Sequence, residues 1–150
     1  MPATQNKSTE FVREVRIAAT PQTIFPFLIE PAKMIQWMGI QAESDPRKGG
    51  IYRVDINGKH VARGEYVEVK PHHKVVFTWG WEGNAELPPG SSTVEFTLTP
   101  DGSDTLLRLR HYNLSEAEAK SHGEGWGHFL PRLVECGNGR DPRPDEWVKG

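Results

Sequence analysis

The densest collection of chemistry-bearing residues is SHGEGWGHFLPRL, residues 121–133. His122, Glu124 and His128 are metal-ligand and acid–base types, and Gly123, Gly125 and Gly127 are spaced closely enough to suggest a loop. Three chemistries are on offer: a cation held by imidazole and carboxylate, a phosphate held by backbone amides, or proton transfer by a histidine titrating near neutrality. Helical geometry separates them. At about 100° per residue, His122 and His128 lie about 240° apart, and Glu124 lies about 200° from His122. Groups so splayed cannot converge on one ion from a regular helix, so no metal is expected. The glycine spacing is G-x-G-x-G, with Leu130 where a dinucleotide fingerprint needs its third glycine and no strand leading in. No cofactor is expected.

On the same wheel Trp126, Phe129 and Leu133 flank His122, with Leu130 beside them, while Glu124, His128 and Glu135 face the opposite way. The stretch reads as an amphipathic helix with His128 and Glu124 toward solvent. Its inward face changes character along its length. Ser115, Glu118, Ala119 and His122 occupy the N-terminal half, where small and ionisable groups fill a core poorly. The sequence therefore predicts a packed plug at the C-terminal half and one wall of a polar-lined cavity at the other. Glu118 stands one turn before His122, within hydrogen-bonding reach on a helix. Each glycine costs roughly 1 kcal/mol relative to alanine inside a helix. Either the backbone approaches the sheet closely there, or space is kept for a ligand. Pro131 removes the bond to the Gly127 carbonyl and predicts a bend.

The elements that must hold this helix follow from periodicity and punctuation. Residues 11–19 alternate, with Phe11, Val15 and Ile17 on one face. Thr20 and Pro21 open a helix, and Pro26 and Pro31 divide it into two short pieces ending near Gly39. From Gln41 onward strands dominate. Asn57-Gly58 marks a hairpin between residues 49–58 and 59–69. Further strands are predicted at 75–81, 93–100 and 105–112. Ser115 and Glu118 form a capping box that starts a helix reaching about Cys136. Such a run of strands linked by tight turns makes an antiparallel meander, and the terminal helix is the one long element able to cover it. The expected organisation is a flexible N-terminus (1–9), one α+β domain (10–136) and an irregular tail (137–150).

Inward-facing positions of these strands are rich in aromatics. Tyr52, Phe77, Trp79, Trp81, Phe96 and His111 line one face, Trp37 precedes the sheet, and Glu118, Ala119, His122 and Trp126 come from the helix. An apolar surface carrying a few polar groups is the usual composition of a small-molecule site. These residues are the candidate ligand-binding set, set against the plainer reading that the aromatics simply form the core.

Composition bounds the partners. The chain has 150 residues, a net charge of −2 and a single cysteine, Cys136. That charge gives no basic field for nucleic acid or an anionic membrane. Cys136 reads as a packing residue, and one cysteine makes no internal disulfide. The N-terminus is polar, and no stretch approaches the roughly 20 apolar residues of a membrane span. A cytoplasmic protein is expected.

Three stretches resemble the helix-grip (SRPBCC, or START-like) superfamily, and within it the branch named for the activator of the heat-shock-protein-ninety ATPase. They are VREVRIAATPQTIFPFLIEPAKMIQWMG near the start, GGIYRVDINGKHVARGEYVEVKPHHKVVFTWGW in the middle and HGEGWGHFLPRL at the end. The last contains the G-W-x-x-x-L-x-x-L pattern of Gly125, Trp126, Leu130 and Leu133. The resemblance covers roughly residues 10–136. It implies a curved antiparallel sheet of about seven strands gripping a long C-terminal helix, with a hydrophobic cavity between them. It does not imply one function: the superfamily includes lipid and hormone carriers, polyketide cyclases, antibiotic-resistance proteins and co-chaperone domains.

The leading expectation is a binding protein for a small apolar or aromatic ligand. A second is a cyclase- or hydrolase-like enzyme using His122 or His111 beside Glu118, although no catalytic motif is evident. A third is a co-chaperone-like or regulatory interaction module, for which Trp147 in the tail is the hint. A homodimer is expected by superfamily analogy alone.

Overall fold

The computed structural model describes residues 9–145 and Trp147. The N-terminus expected to be flexible lies outside the described residues, except that Thr9 already belongs to a strand. In chain order the elements are β1 (Thr9–Ile17), α1 (Pro21–Ile29), α2 (Pro31–Trp37), β2 (Gln41–Ser44), β3 (Ile51–Asp55), β4 (Val61–Lys70), β5 (Lys74–Trp79), β6 (Ser92–Asp101), β7 (Asp104–Leu114) and α3 (Glu116–Gly137). The strands form one seven-stranded sheet in the order β1-β7-β6-β5-β4-β3-β2, every pairing antiparallel. Strands β2 to β7 are a meander, and β1 closes the far edge beside β7. The curved sheet grips α3, which packs against β1 and β7: this is the helix-grip fold.

Local chemistry accounts for the boundaries. The Thr20 side chain accepts from the Thr23 amide and Pro21 takes the first helical position. The break between the short helices falls at Glu30-Pro31, while Pro26 is carried inside α1. At α3 both arms of the capping box form: the Ser115 hydroxyl accepts from the Glu118 amide, and the Glu118 carboxylate accepts from the Ser115 amide at 2.9 Å. The Asn57-Gly58 hairpin is wider than its sequence signal predicts. Asp55 pairs with Val61 and the Ile56 amide donates to the His60 carbonyl at 2.8 Å, leaving residues 57–59 as the turn. The cause is side-chain capture of turn amides: Asp55 Oδ1 accepts from Gly58, and Asn57 Oδ1 accepts from Lys59 and His60.

The inward residues of the sheet and the C-terminal half of α3 make one core. Val94, Phe96 and Leu98 of β6 face Leu107 and Leu109 of β7 and are covered by Phe129, Leu130 and Leu133. Among the described residues no helix is long and apolar enough to cross a membrane.

Candidate functional site

Beside α3 the molecule opens into a cleft of about 770 Å³. One wall is helical: Ser121, His122, Gly125, Trp126 and Phe129 stand on the face that the wheel assigned inward. The floor carries Trp79 at the end of β5. The opposite wall is built by the β3–β4 turn (Ile56 to His60) and by the loop after β5 (Trp81 to Glu86), with buried Met38 and half-exposed Trp147 completing the lining.

The candidate residues divide between this cleft and the core beneath it. Trp79, Trp81, His122 and Trp126 line the cleft. Trp37, Tyr52, Phe77 and Phe96 are each no more than 2% exposed and pack as core. Tyr52 stacks on Phe77 at 3.8 Å, and Trp37 meets Phe96 edge-on and donates its indole N–H to the Phe27 carbonyl. Ala119 closes a satellite cluster with Leu87 and Leu114. His111 lies directly under the cleft, fully buried, 4.9 Å ring to ring from His122.

Hydrogen bonds fix the state of both imidazoles. Trp81 Nε1 donates to His122 Nε2 at 3.0 Å. An indole nitrogen only donates, so His122 carries its proton on Nδ1, which donates to the Glu118 carbonyl at 2.8 Å. Trp126 Nε1 likewise donates to His111 Nδ1 at 3.1 Å. His111 Nε2–H then donates to Ser92 Oγ at 2.9 Å, and the Ser92 hydroxyl donates to the Trp79 carbonyl at 2.7 Å. Burial drives the His111 pKa well below its usual value, helped by neighbouring His122; burial also lowers that of His122, against the opposing pull of Glu118. Both rings are neutral at neutral pH. The Glu118 carboxylate also acts on His122 through its charge, which opposes the effect of burial on the ring. The capping box turns the Glu118 carboxylate back to the helix start, and His122 takes the backbone carbonyl.

Position settles the two readings of the glycines one by one. A Cβ on Gly123 would meet the Phe11 ring at 2.8 Å, so this glycine permits close packing of α3 on β1. A Cβ on Gly125 would meet nothing within 4 Å, and Gly125 faces the cleft. Gly127 is also unobstructed.

His128 departs from its expected place on the solvent face. The tail folds back along α3 and covers it: His128 Nε2 meets Asp145 Oδ1 at 2.8 Å, and the Trp147 ring stacks on the imidazole at 3.7 Å and 4°. Arg132 secures the same segment by donating to the Trp37 and Pro142 carbonyls. Cys136 is buried, which pushes its thiol up to about 11. Among the described residues no cluster of His, Cys, Asp or Glu could hold a metal ion. Sequence reasoning missed Ser121, Gly125 and Phe129 on the helical wall, buried Met38 and Ile56, and the loops of the opposite wall, Asn57 to His60 and Glu82 to Glu86. The turn chemistry of these loops was visible, but not that both reach over the helix.

The model of one protein family, Activator of Hsp90 ATPase homolog 1-like protein, matches residues 18–137. The chain belongs to that family. This AHSA1-like domain is similar to an AHSA1-like protein from Rhizobium etli, with 41% identity, 100% of this chain and 94% of that chain covered, and a TM-score of 0.76. It shares its fold with DynU16, a protein in the dynemicin biosynthetic locus, at 23% identity, over 91% of this chain and 50% of that chain, with a TM-score of 0.77. The same fold occurs in an Aha1 dimer from Colwellia psychrerythraea, at 18% identity, over 85% and 95% of the two chains, with a TM-score of 0.74. The search of curated proteins found no match.

Proposed function

We propose that this AHSA1-like protein binds a small apolar or aromatic ligand in the cleft between α3 and the β3–β4 and β5–β6 connections. The observation that carries the reading is the wall itself. Trp79, Trp81, Trp126, Phe129 and Trp147 surround about 770 Å³ with the neutral ring of His122 among them. A cleft of that volume, with an aromatic wall and polar groups on the facing loops, is suited to a ligand of drug-like size. The location of DynU16 in a biosynthetic locus is in keeping with small-molecule handling in this fold.

The hydrogen bonds favour binding over proton transfer by the same histidines. A general base needs a free lone pair within reach of substrate, and the lone pairs of His122 and His111 already accept from Trp81 and Trp126. On the same reading the protein works in the cytoplasm and self-associates as the Colwellia protein does; light scattering of a monomer would overturn the second point.

The test is a thermal-shift screen of aromatic compounds and lipids, with native mass spectrometry of the hits. Binders that perturb the Trp81 and Trp126 resonances support the proposal. Failure of every chemical class to shift the melting temperature or to appear as a bound mass would overturn it.

A further inference from the structure

A glycine inside a helix costs roughly 1 kcal/mol relative to alanine, so its presence calls for a local reason. Among the described glycines the reason is visible everywhere but at two positions. Elsewhere either the backbone has a positive φ or a Cβ would meet a neighbour closer than 3.0 Å. The exceptions are Gly125 and Gly127 of α3, where a Cβ would meet nothing within 4 Å. At about 100° per residue the two face nearly opposite ways. Of the pair, only Gly125 lines the cleft.

Its neighbours show what a side chain there would block. Ser121 and His122 stand one turn before Gly125 on the cleft face of α3, and Phe129 stands one turn after it. Both flanking rings are matched from across the cleft. Trp81 lies over His122 at 5.8 Å and 33°, and Trp147 meets Phe129 edge-on at 5.7 Å. His122 and Phe129 are seven residues apart, about 10.5 Å along the helix axis. Between these two aromatic pairs the helix backbone is bare at Gly125, with open space above it.

Given the ligand-binding reading, we infer that Gly125 is the specificity-determining residue of the cleft, and that a planar aromatic ring system lies against the α3 backbone there, between the Trp81–His122 and Trp147–Phe129 pairs. A flat ring can approach the bare turn closely and meet the flanking rings in the offset or edge-on contacts that aromatic pairs favour. A saturated ring system on the same skeleton is thicker and has no π face to offer. A methyl on Gly125 would hold the ring away from the backbone, and a gap of even 0.5–1 Å forfeits roughly a quarter to a half of a contact's dispersion energy. The stability that glycine withholds from the helix is thus exchanged for function, as is common at binding sites.

The pair 2-naphthol and decahydro-2-naphthol tests this, since the two share a fused carbon skeleton and a hydroxyl and differ in planarity. Affinities come from titration calorimetry on wild type, Gly125→Ala and Gly127→Ala, and the place of binding from the backbone amide peaks of a ¹⁵N-labelled sample. 2-Naphthol should bind wild type several-fold more tightly than its saturated partner and should move the Gly125 amide peak. In Gly125→Ala its affinity should fall about tenfold, while Gly127→Ala binds as wild type does. Both variants should melt at or above wild type, so that weaker binding reports the lost contact and not a damaged fold. Equal affinity of wild type and Gly125→Ala for 2-naphthol, or a melting temperature of Gly125→Ala below wild type, would overturn the role of Gly125 and leave cleft binding intact. Equal or tighter binding of decahydro-2-naphthol, or binding of neither alcohol to wild type, would overturn the planar ligand class. The thermal-shift screen then decides separately whether the cleft binds any other class.

Discussion

Trp81 donates its indole N–H to His122 Nε2 at 3.0 Å, which closes that nitrogen to protons as well as to ligands. Protonating His122 would place an N–H against an N–H, over and above the desolvation that already lowers its pKa. Replacing Trp81 with phenylalanine keeps a ring in place and frees the lone pair. The His122 pKa should then rise toward its ordinary value, followed through the imidazole carbon-bound protons in a pH titration. An unchanged midpoint in Trp81→Phe would refute the coupling.

The same burial makes stability depend on pH in a definite direction. His111 and His122 have folded pKa values below their unfolded ones, so the unfolded chain binds their protons first. Their contribution is fully present above the unfolded value near 6.5 and is lost as pH falls below it toward the folded pKa values. Each group then contributes a slope of up to about 1.4 kcal/mol per pH unit. Urea unfolding between pH 7.5 and 5 should show stability falling on acidification, with a shallower fall in His122→Gln. Parallel curves for wild type and variant would refute the assignment.

Trp126 holds the deeper ring. Its indole donates to His111 Nδ1 beneath a fully buried imidazole. Trp126→Phe keeps much of the apolar bulk and orphans that nitrogen, at a cost of about 1–3 kcal/mol for the unmet acceptor and somewhat more for lost volume. Denaturant melts measure this. A variant as stable as wild type would show the bond to be dispensable.

Much of this architecture was written in local pattern. Thr20 with Pro21, Ser115 with Glu118, and the alternation through Val94, Phe96 and Leu98 each depend on neighbours a few residues away. His122 was found on the correct helix face because 3.6-residue periodicity carries orientation without any knowledge of the partner. What escaped depends on distant packing. Tyr52 and Trp79 both sit on inward strand faces, and sequence cannot tell that one is sealed in the core while the other reaches the cleft. The second wall needed the β3–β4 turn and the loop after β5 to converge over α3. His128 looked like a solvent residue because no periodicity announces that a proline-rich tail will return to cover it.

The glycines of α3 separate helix propensity from packing. Gly127→Ala adds a methyl to open space and should stabilise the protein by about 0.5–1 kcal/mol, through propensity and a less flexible unfolded chain. Gly123→Ala drives a methyl against Phe11 at 2.8 Å, so displacement of that ring offsets the gain. Thermal melts of the two variants should therefore diverge, Gly127→Ala above wild type and Gly123→Ala at or below it. The reverse order would mean that α3 does not approach β1 as closely as described.

The tail controls the rim. Trp147 is 47% exposed yet stacks flat on His128, meets Phe129 edge-on, and receives a backbone anchor because its amide donates to Asp145 Oδ1 at 2.9 Å. That carboxylate is buried and also meets His128, so one side chain organises both partners. Asp145→Ala should release the segment while leaving the sheet and α3 folded. Limited proteolysis should then cut within residues 141–147 faster than in wild type. Because Trp147 borders the cleft, a bound aromatic ligand should also leave faster, by several-fold in stopped-flow displacement, with a smaller change in its on-rate. Unchanged dissociation despite faster proteolysis would show that the tail braces α3 without guarding the cleft.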